Sequence, residues 1–283
     1  MLQAEVRTLS WLVRDASARL SAAGFSSARW EGERLVAHAF GIAWGEIWVR
    51  LREEAGEQTS ARLDELVRRR VAGEPLAYIL CSTIFFGCEI AVGPGVLVPR
   101  PETETLVQAA LELVADVPDP RIVDIGTGSG AIAIALAMER SGAEVWGTDV
   151  SKRALEWAER NVRSAGVDVQ LVHGDLFEAL PARTRGVFDL IVSNPPYIAE
   201  GTDLPEDVRA EPDEALFAGP DGNDVLLEVV DGSEAWLNSR GHLALEVGAP
   251  KQVDVVIDAL ASWRDVRVRE DRTGRQRVVT ARR

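Results

Sequence analysis

The fold follows from one stretch, Val123-Asp124-Ile125-Gly126-Thr127-Gly128-Ser129-Gly130-Ala131. The apolar residues before Gly126 are typical of a buried strand, and the apolar run after Gly130 is typical of a helix. Three glycines at alternate positions let the backbone turn tightly, so that the N–H groups of the helix N-terminus can face a ligand. The spacing G-x-G-x-G differs from the dinucleotide fingerprint G-x-G-x-x-G, and the lysine of a P-loop is missing. The stretch predicts a ligand-binding strand, turn and helix of an α/β fold.

Strands and helices alternate regularly around this stretch, which predicts parallel strands joined by right-handed crossovers. Helices are predicted over residues 105–114, 130–140, 152–165, 225–237 and 251–260, and strands over residues 121–125, 144–148, 169–173, 188–193, 241–247, 263–270 and 276–281. The last two strands can form an antiparallel hairpin. We therefore expect an α/β, doubly wound, Rossmann-like sheet within a domain of residues 99–283.

The beginning of the chain has a different pattern, because apolar residues recur there at helical spacing. Ser26-Ser27 and Thr59-Ser60 are expected helix starts, and Gly24, Gly41 and Gly73 are expected stops. Residues 1–78 are therefore predicted to form a small all-helical domain. We expect its four tryptophans to serve mainly in packing, with a binding face as the alternative. They are Trp11, Trp30, Trp44 and Trp48.

A short β-like segment, residues 79–98, is expected to link the two domains. The runs Ser82–Phe86 and Glu89–Val92 are divided by Gly87-Cys88, and a hairpin is the simplest explanation. The next residues, Val98-Pro99-Arg100-Pro101-Glu102-Thr103-Glu104, contain two prolines that stiffen the chain before a helix. This turn either only sets the angle between the domains or also carries Arg100 and Thr103 into a site as substrate-binding residues.

Three acidic residues lie at or just after the ends of predicted strands, at the edge of the sheet where such folds bind ligands. Asp124 suits the amino group of an amino-acid moiety and is awkward for a pyrophosphate. Asp149 stands where an acid accepts hydrogen bonds from ribose hydroxyls, although alone it would equally well be the N-cap of the next helix. Asp175 could accept from an adenine amino group with Leu176 beneath the ring, and a helix cap explains Asp175 nearly as well.

Together these residues imply that the cofactor is S-adenosylmethionine. The glycine turn would hold the methionine part with Thr127 and Ser129 between its glycines, Asp149 would hold the ribose, and Asp175-Leu176 would hold the adenine. The sequence thus predicts a class I S-adenosylmethionine methyltransferase domain behind a helical domain and a hairpin linker.

The predicted catalytic residues are Asn194-Pro195-Pro196-Tyr197, directly after the strand 188–193. Asn194 and Pro195 each precede a proline, so both are pushed toward extended conformations, and neither proline donates a hydrogen bond. The Asn194 side-chain oxygen and the Pro195 carbonyl can each accept one N–H of a planar amino group, which favours the pyramidal nitrogen of a methyl-transfer transition state. Tyr197 can pack on the flat group. We also expect Asn194 to contact the cofactor, and pure turn chemistry is the weaker alternative.

Composition limits the class of protein, its location and the metal sites that it can contain. The 283 residues are 46% apolar and 27% charged, enough for a large core plus a smaller domain. The longest apolar run, residues 131–138, is far too short for a membrane span, and the N-terminus lacks the features of a signal peptide. We therefore expect a cytoplasmic monomer without a membrane partner. Cys81 and Cys88 match no zinc or redox spacing and are expected to be buried, and the three histidines are scattered, so no metal is predicted.

The formal net charge of −14 is unevenly placed, because residues 1–80 hold 11 Arg and 11 Asp or Glu and are neutral. Between Glu200 and Glu234 there are twelve acidic residues and one basic residue, Arg209. A nucleic-acid-binding chain normally shows a basic stripe, so we expect no direct nucleic-acid contact. A basic protein partner remains compatible with this segment, and a solvated surface explains any single one of its acids equally well.

These motifs resemble the HemK/PrmC family, protein-(glutamine-N5) methyltransferases that act on peptide chain release factors. The resemblance covers nearly the whole chain. It is carried by residues 69–80, 96–104, 124–130, Asn194 to Tyr197, Glu211-Pro212, Ala215-Leu216, Asp221-Gly222 and Leu245-Glu246-Val247-Gly248. The chain departs from the family at Cys81, where glycine is usual, at Leu176, where some members have tryptophan, and in the loop 219–224.

The resemblance implies methylation of the glutamine side-chain amide in the Gly-Gly-Gln tip of class I release factors, with the helical domain helping to engage that protein. Methylation of a ribosomal-protein glutamine is a sibling alternative. An adenine-N6 methyltransferase acting on DNA or RNA could use the same Asn-Pro-Pro-Tyr loop, but it must extrude its base and hold the backbone with Lys or Arg. A non-enzymatic cofactor-binding protein is a further alternative, and the intact catalytic loop argues against it.

Overall fold

The computed structural model describes residues 7–283, so predictions for residues 1–6 lie outside it. Two compact units form, one from Met1–Cys81 with Pro205–Ala210 and the other from Ser82–Leu204 with Glu211–Arg283. The predicted domain boundaries at residues 78 and 98 stay a proposal. Within residues 7–283, no helix is long and apolar enough to cross a membrane.

The described elements follow a simple order along the chain. They are α1 (Leu9–Ala22), α2 (Ala28–Phe40), α3 (Glu57–Val71), α4 (Leu76–Leu80), β1 (Ser82–Phe85), β2 (Cys88–Ala91), α5 (Glu104–Leu113), β3 (Arg121–Ile125), α6 (Ala131–Glu139), β4 (Glu144–Asp149), α7 (Lys152–Ala165), β5 (Gln170–His173), β6 (Phe188–Ser193), α8 (Glu206–Arg209), α9 (Asp224–Trp236), β7 (Leu237–Glu246), α10 (Pro250–Ala259), β8 (Arg264–Glu270) and β9 (Gln276–Arg282). Short 3-10 helices, among them Trp44–Val49 and Pro101–Thr103, lie between them.

The first unit is a helical bundle around an apolar core to which α1, α2 and α3 contribute fully buried residues such as Leu12, Leu35 and Val67. The predicted stop at Gly41 is confirmed, since Gly41 ends α2 in the left-handed conformation that glycine tolerates. The start predicted at Thr59-Ser60 is wrong, because α3 already begins at Glu57. The amphipathic pattern placed the helix, whereas its first turn carries no apolar residue to mark the start.

Three of the four tryptophans are about half buried, which agrees with half-buried packing and leaves a binding face open as the alternative. Trp30, Trp44 and Trp48 are 46%, 41% and 48% exposed. Guanidinium groups lie over these rings, with Arg34 5.3 Å from the Trp30 centroid and Arg29 5.7 Å from the Trp48 centroid. Cation–π contacts of this kind cover part of a ring while the rest stays exposed to solvent.

A buried arginine joins the short helix α8 to the rest of the helical unit. Arg70 donates to Glu31 Oε2 at 2.6 Å and to Asp207 Oδ2 at 3.1 Å, and its guanidinium lies 4.2 Å from the centroid of the Phe25 ring. The side chains of Arg70 and Glu31 are only 6% and 5% exposed. Asp207 belongs to the acidic segment 200–234, so part of that segment is neutralised inside the helical unit.

The second unit contains one sheet with the strand order β5-β4-β3-β6-β7-β9-β8. The five strands from β5 to β7 run parallel, and β9 pairs antiparallel with both β7 and β8. The predicted doubly wound sheet with an antiparallel pair at its end is confirmed. The strand β7 begins at Leu237, directly after α9, rather than at the predicted Gly241. Because parallel strands end at one edge, the carboxyl ends of β3 to β7 share the edge where such sheets bind ligands.

The predicted hairpin is confirmed as β1 and β2, which pair antiparallel. Asn161 of α7 fastens it, accepting from Ala91 N at 2.8 Å and donating to Ala91 O at 2.9 Å. The expectation that both cysteines are buried is wrong, since Cys81 is exposed and Cys88 is partly exposed. Cys81 ends α4 with a left-handed φ of 62°, and Cys88 follows directly on the hairpin turn, so neither reaches a core.

Candidate functional site

An open cleft lies at the carboxyl edge of the sheet, with an empty volume of about 1060 Å³ including the solvent at its mouth. Strands β3 and β6 are neighbours there, with Ile125 opposite Ser193, and the Ser193 hydroxyl donates to Ile125 O at 2.6 Å. The glycine turn after β3 and the loop after β6 therefore start side by side. The predicted site residues that line the cleft are Thr103, Gly126, Thr127, Gly128, Ser129, Asp149, Asp175, Leu176, Asn194 and Pro196.

The glycine turn has the backbone conformation that its sequence demands. Gly126, Gly128 and Gly130 have φ values of 73°, 56° and 80°, all in the left-handed region that side chains disfavour. The N–H groups of Gly126 and Thr127 both donate to Thr148 O, at 2.9 and 2.8 Å. The turn is thus tied to the end of β4, and α6 begins immediately after it.

Asp149 fixes the turn as well as facing the cleft. Its Oδ2 accepts from Gly128 N and its Oδ1 from Ser151 N, both at 2.8 Å. The alternative that Asp149 caps α7 is wrong, because the Ser151 hydroxyl is the group that accepts from α7, at Ala154 N. Burial raises the pKa of Asp149, and the two backbone hydrogen bonds oppose that shift. Each carboxylate oxygen can accept a further hydrogen bond, which leaves room for the ribose hydroxyls. Binding of ribose by Asp149 remains a proposal.

Asp124 lies behind the turn and is not among the residues that line the cleft. It is fully buried, and its Oδ2 accepts from the Thr127 hydroxyl at 2.7 Å. Burial raises the pKa of Asp124 to about 7, and the hydrogen bond from Thr127 opposes this rise. Its Oδ1 has no protein hydrogen-bond partner. The hydrogen bond from Thr127 indicates that Asp124 fixes the position of the Thr127 side chain. The contact of Asp124 with an amino group stays a prediction.

Asp175 and Leu176 reach the cleft from the segment after β5. Asp175 precedes a 3-10 helix, Leu176–Ala179, but its side chain makes no capping hydrogen bond, so the helix-cap alternative has no support. Leu176 has a φ of 41°, a strained value for a branched residue that is seen mostly where the local structure enforces it. Both positions suit the adenine end of the expected cofactor, which remains a proposal.

The charges of the cleft fit a cationic ligand. Three carboxylates line it, from Asp149, Asp175 and Glu214, whereas the described lining residues include no Lys or Arg. A sulfonium and an ammonium group are favoured in such a field, and a pyrophosphate is disfavoured. The glycine turn, the carboxylates and the apolar Leu176 thus fit S-adenosylmethionine.

Asn194 and Thr103 meet in this cleft. Asn194 Nδ2 donates to Thr103 Oγ1 at 3.3 Å, which leaves the Asn194 side-chain oxygen to accept from a ligand. Thr103 ends the 3-10 helix Pro101–Thr103 and is only 3% exposed. The following Pro195 is buried, and Pro196 lines the cleft. The site therefore brings together Asn194 and Thr103, the latter as a partner of Asn194.

Tyr197 is held from three sides. Its hydroxyl donates to Glu246 Oε1 at 3.3 Å, and its carbonyl oxygen accepts from Gln252 Nε2 at 2.9 Å. Its ring packs so closely on Gly248 that a Cβ there would lie 2.4 Å from Tyr197 Cδ2. Burial raises the pKa of the Tyr197 hydroxyl, and the nearby Glu246 adds to this rise. Tyr197 is not among the described cleft-lining residues, so its packing on a substrate stays a prediction.

Arg100 is engaged within the protein. Its Nη2 donates to Glu211 Oε1 at 2.5 Å, and the other oxygen of Glu211 accepts from Val98 N at 2.9 Å. Glu211 is 4% exposed. The Pro-Arg-Pro segment is thereby fastened to the loop after β6, and substrate binding by Arg100 remains a proposal that would share the guanidinium with Glu211.

Three polar residues at the site were not predicted as site residues, namely Glu211, Glu246 and Gln252, although the first two lie in stretches that carry the family resemblance. Glu246 ends β7 and is 1% exposed, with a pKa that burial raises to about 7. Gln252, in the first turn of α10, bridges four backbone groups, among them Tyr197 O and Gly222 O at 2.9 and 2.8 Å. The sequence signal that could have identified Glu246 is a carboxylate inside an apolar strand, as in Leu243-Ala244-Leu245-Glu246-Val247.

Sequence comparison identifies two families whose profiles match separate parts of the chain. The "Methyltransferase small domain" matches residues 103–211, and the "PrmC N-terminal domain" matches residues 12–80. Among similar proteins, the release factor glutamine methyltransferase of Deinococcus radiodurans is 39% identical, covering 96% of this chain and 97% of its own length. The enzyme of the same name from Corynebacterium glutamicum is 37% identical, covering 97% of this chain and 99% of its own length.

Solved structures with low identity show the same fold. A Pyrococcus furiosus methyltransferase aligns with a TM-score of 0.51 at 20% identity, covering 70% of this chain and 90% of its own. The T. thermophilus 16S rRNA N2 G1207 methyltransferase, solved with AdoMet and guanosine, aligns with a TM-score of 0.53 at 24% identity, covering 71% of this chain and 49% of its own. At these identities the likeness establishes the methyltransferase fold alone.

Proposed function

Because this chain belongs to the release factor glutamine methyltransferase family, we propose that it methylates the N5 side-chain amide of the glutamine in the Gly-Gly-Gln motif of class I release factors. Family membership makes it an S-adenosylmethionine-dependent protein-glutamine methyltransferase. The observation that carries the finer proposal is Asn194 at the cleft, whose amide nitrogen is bonded to Thr103 and whose oxygen is left to accept.

The residues of the carboxyl edge divide the cleft into a cofactor end and an acceptor end. The turn from Gly126 to Gly130, Asp149 and the pair Asp175-Leu176 would hold S-adenosylmethionine, and Asn194, which also lines the cleft, would face the acceptor. When bound, this cofactor supplies an electrophilic methyl group on a sulfonium sulfur. The described cleft lining holds carboxylates without Lys or Arg, which supports binding of that positive charge.

The acceptor end is suited to a primary amide. The Asn194 side-chain oxygen and the Pro195 carbonyl would each accept one N–H of the glutamine side chain. An amide nitrogen is a poor nucleophile because its lone pair is delocalised into the carbonyl group. Holding both N–H groups orients that lone pair and favours the pyramidal nitrogen of the transition state over the planar ground state. Two prolines keep the acceptors in place, since they restrict the backbone on both sides.

No strong base is required at the start of the reaction. When bound, S-adenosylmethionine would supply the methyl group, and Asn194 and the Pro195 carbonyl would hold the amide nitrogen toward it. The nitrogen proton becomes acidic only as the methyl group is transferred and is then lost to solvent, so these weak acceptors suffice. The role of the chain is therefore orientation, with the nitrogen about 3 Å from the methyl carbon.

The remaining parts of the proposal concern the partner. We infer that the helical domain, residues 1–78 in the predicted division, helps to engage the release factor, and that nucleic acid is not contacted directly. The net charge of −14 supports a basic protein partner over a phosphate backbone. All described cleft residues lie in one of the two units, which is compatible with the proposed monomer.

A direct test uses methyl-labelled S-adenosylmethionine with three acceptors offered separately: a class I release factor, the same factor with Gln→Ala in its Gly-Gly-Gln motif, and unmethylated DNA. We expect label on the unaltered release factor alone, and mass spectrometry should place one methyl group on the motif glutamine. Equal labelling of both release-factor forms would contradict the proposed glutamine. Label on the DNA would support the adenine-N6 alternative instead.

A further inference from the structure

One buried amide side chain contacts the end of the catalytic loop, Asn194 to Tyr197, from outside the cleft. Gln252, in the first turn of α10, is only 6% exposed and is not among the described residues that line the cleft. We propose that Gln252 is a positioning residue for methyl transfer, holding the Tyr197 end of the catalytic loop so that the Pro195 carbonyl keeps its place. This inference deepens the proposed function and rests on it.

The Gln252 side chain uses every hydrogen-bonding position of its amide. Its Oε1 accepts from Gly248 N at 2.9 Å and from Ala249 N at 3.1 Å. Its Nε2 donates to Tyr197 O at 2.9 Å and to Gly222 O at 2.8 Å. A backbone N–H can only donate and a carbonyl oxygen can only accept, so these four neighbours fix which end of the amide faces which pair. Turning the amide around would lose all four hydrogen bonds.

A helix cap explains only half of these contacts. Gln252 is the third residue of α10, a position from which a Gln or Glu side chain commonly accepts from the backbone at the helix start. The two bonds to Oε1 fulfil that role. A carboxylate would fulfil it as well, and its charge would suit the helix N-terminus. The two bonds from Nε2 reach Tyr197 and Gly222 instead, so only they require an amide at this position.

The two ends of the catalytic loop are held in different ways. Asn194 follows directly on β6, which pairs with β3 on one side and with β7 on the other, so the sheet fixes that end. The far end lies beyond two prolines, which donate no backbone hydrogen bond, and its position depends on the contacts of Tyr197. Gln252 supplies the contact to the Tyr197 carbonyl. Because the prolines are stiff, a shift at Tyr197 is passed back to the Pro195 carbonyl.

Gly222 adds a second fixed point close to the first. Its φ of 71° lies in the left-handed region, and a Cβ there would lie 2.5 Å from Tyr197 O. The next residue is also held by this segment, since Ile198 N donates to Leu216 O at 2.9 Å, in a bridge outside the named strands. One amide therefore ties both the catalytic loop and the segment that ends at Gly222 to α10.

The first test concerns the link itself and needs no substrate. Gln252→Glu keeps the length of the side chain and the two acceptor bonds of the helix cap, and it removes the two donors. Hydrogen exchange of the full chain is followed by mass spectrometry. We expect exchange in peptides that cover residues 196–222 to become about fivefold faster in Gln252→Glu, as losing one ordinary hydrogen bond would produce, and exchange in β3 and α6 to stay unchanged.

Two results of this test would overturn the inference. Equal exchange of residues 196–222 in wild type and Gln252→Glu would show that the amide does not hold the loop. Exchange that rises equally in β3 and α6 would show a general loss of stability and would count against a local link.

The second test measures turnover on a release factor, with kcat expressed per cofactor-binding site so that unfolded chains do not count. Gln252→Glu should lower kcat at least about tenfold, because the Pro195 carbonyl is displaced, whereas KM and the Kd for S-adenosylmethionine should change less than about threefold. Gln252→Met has a similar length without polar atoms and should lower kcat by a similar factor. The matched control is Gln108→Glu, the same change at an exposed position of α5, which should keep the wild-type kcat. A wild-type kcat in Gln252→Glu would show that the side chain only caps α10 and would refute the positioning role.

These outcomes are separable from a failure of the proposed function. If the unaltered protein left release factors unlabelled, the substrate assignment would be wrong, whereas hydrogen exchange would still decide whether Gln252 holds the catalytic loop. If release factors were labelled and Gln252→Glu turned over like wild type, the positioning role of Gln252 alone would be refuted.

Discussion

Replacing Gly248 by alanine should slow methyl transfer strongly without preventing cofactor binding. Gly248 follows β7 and contacts the ring of Tyr197, the last residue of the catalytic loop. An alanine Cβ would lie 2.4 Å from Tyr197 Cδ2 and 2.6 Å from Cε2. Carbon atoms in contact are normally about 3.5–4.0 Å apart, so the ring must move by about 1 Å.

The ring cannot move freely, because Gln252 holds the Tyr197 carbonyl and Glu246 holds its hydroxyl. A displacement is therefore passed to the backbone of Pro196 and Pro195, which carries one of the two proposed acceptors. Misplacing a reacting group by about 1 Å can cost about 100-fold in rate, equivalent to about 2.7 kcal/mol of transition-state stabilisation. We expect a loss of that size in kcat for Gly248→Ala.

The assay measures kcat on a release factor and, separately, the Kd for S-adenosylmethionine by calorimetry. Since Gly248 is not among the described residues that line the cleft, the Kd should stay within a few-fold of wild type. The matched control is Gly56→Ala, at a glycine with a negative φ and no atom within 4 Å of its Cβ position. A wild-type kcat in Gly248→Ala would refute the argument that Tyr197 must keep its place.

Three further predictions follow from other contacts. Asn194→Ala should keep most cofactor affinity but lower kcat by about 100-fold or more, as removal of one transition-state hydrogen-bonding group does in other enzymes; turnover at the wild-type rate would refute its acceptor role. Arg70→Leu should lower the free energy of unfolding by about 3–5 kcal/mol, because it leaves Glu31 buried without its partner, and urea denaturation should then show Arg70→Leu with Glu31→Leu losing less than Arg70→Leu alone. Because the pKa of Asp124 is raised from 3.8 to about 7, its contribution to stability is fully present below about pH 4 and is lost as the pH rises to about 7. Asp124→Asn should flatten the pH dependence of the unfolding free energy in that window, and an unchanged slope would contradict the burial argument.

Much of the fold could be predicted because it depends on local patterns. Alternating strands and helices sufficed for the parallel sheet, and the three glycines of residues 126–130 sufficed for the turn. Element ends were less predictable. The helix α3 starts at Glu57 after Gly56, which offers no side chain for a capping hydrogen bond, and β7 starts at Leu237 directly after α9 with no turn residue between them. The exposure of side chains was least predictable. The sequence shows that Trp48 is a large aromatic residue, but it does not show that this residue lies in a short 3-10 helix at the surface.

The site was predictable where its residues lie at the ends of predicted parallel strands. Strand-end positions such as Asp149 and Asn194 were expected at one edge, because parallel strands end together. The residues that hold them come from far away in sequence: Thr103 contacts Asn194 across 91 positions, and Glu246 contacts Tyr197 across 49. A single sequence carries no signal for such pairs, so the support around the catalytic loop required the structure.

The acidic segment 200–234 is the point at which sequence and structure suggest different explanations for the same charge. As sequence, it is a block of negative charge suited to a basic partner. In the structure, Asp207 neutralises Arg70 in the helical unit, Glu211 binds Arg100, and Glu214 lines the cleft, where its charge raises the pKa of Asp149. These three acids therefore serve folding and the electrostatics of the cleft, and they do not add to a partner surface. If the proposed basic partner is attracted by this segment, the attraction comes from its other acids, so the salt dependence of partner binding should be weaker than twelve charges would produce.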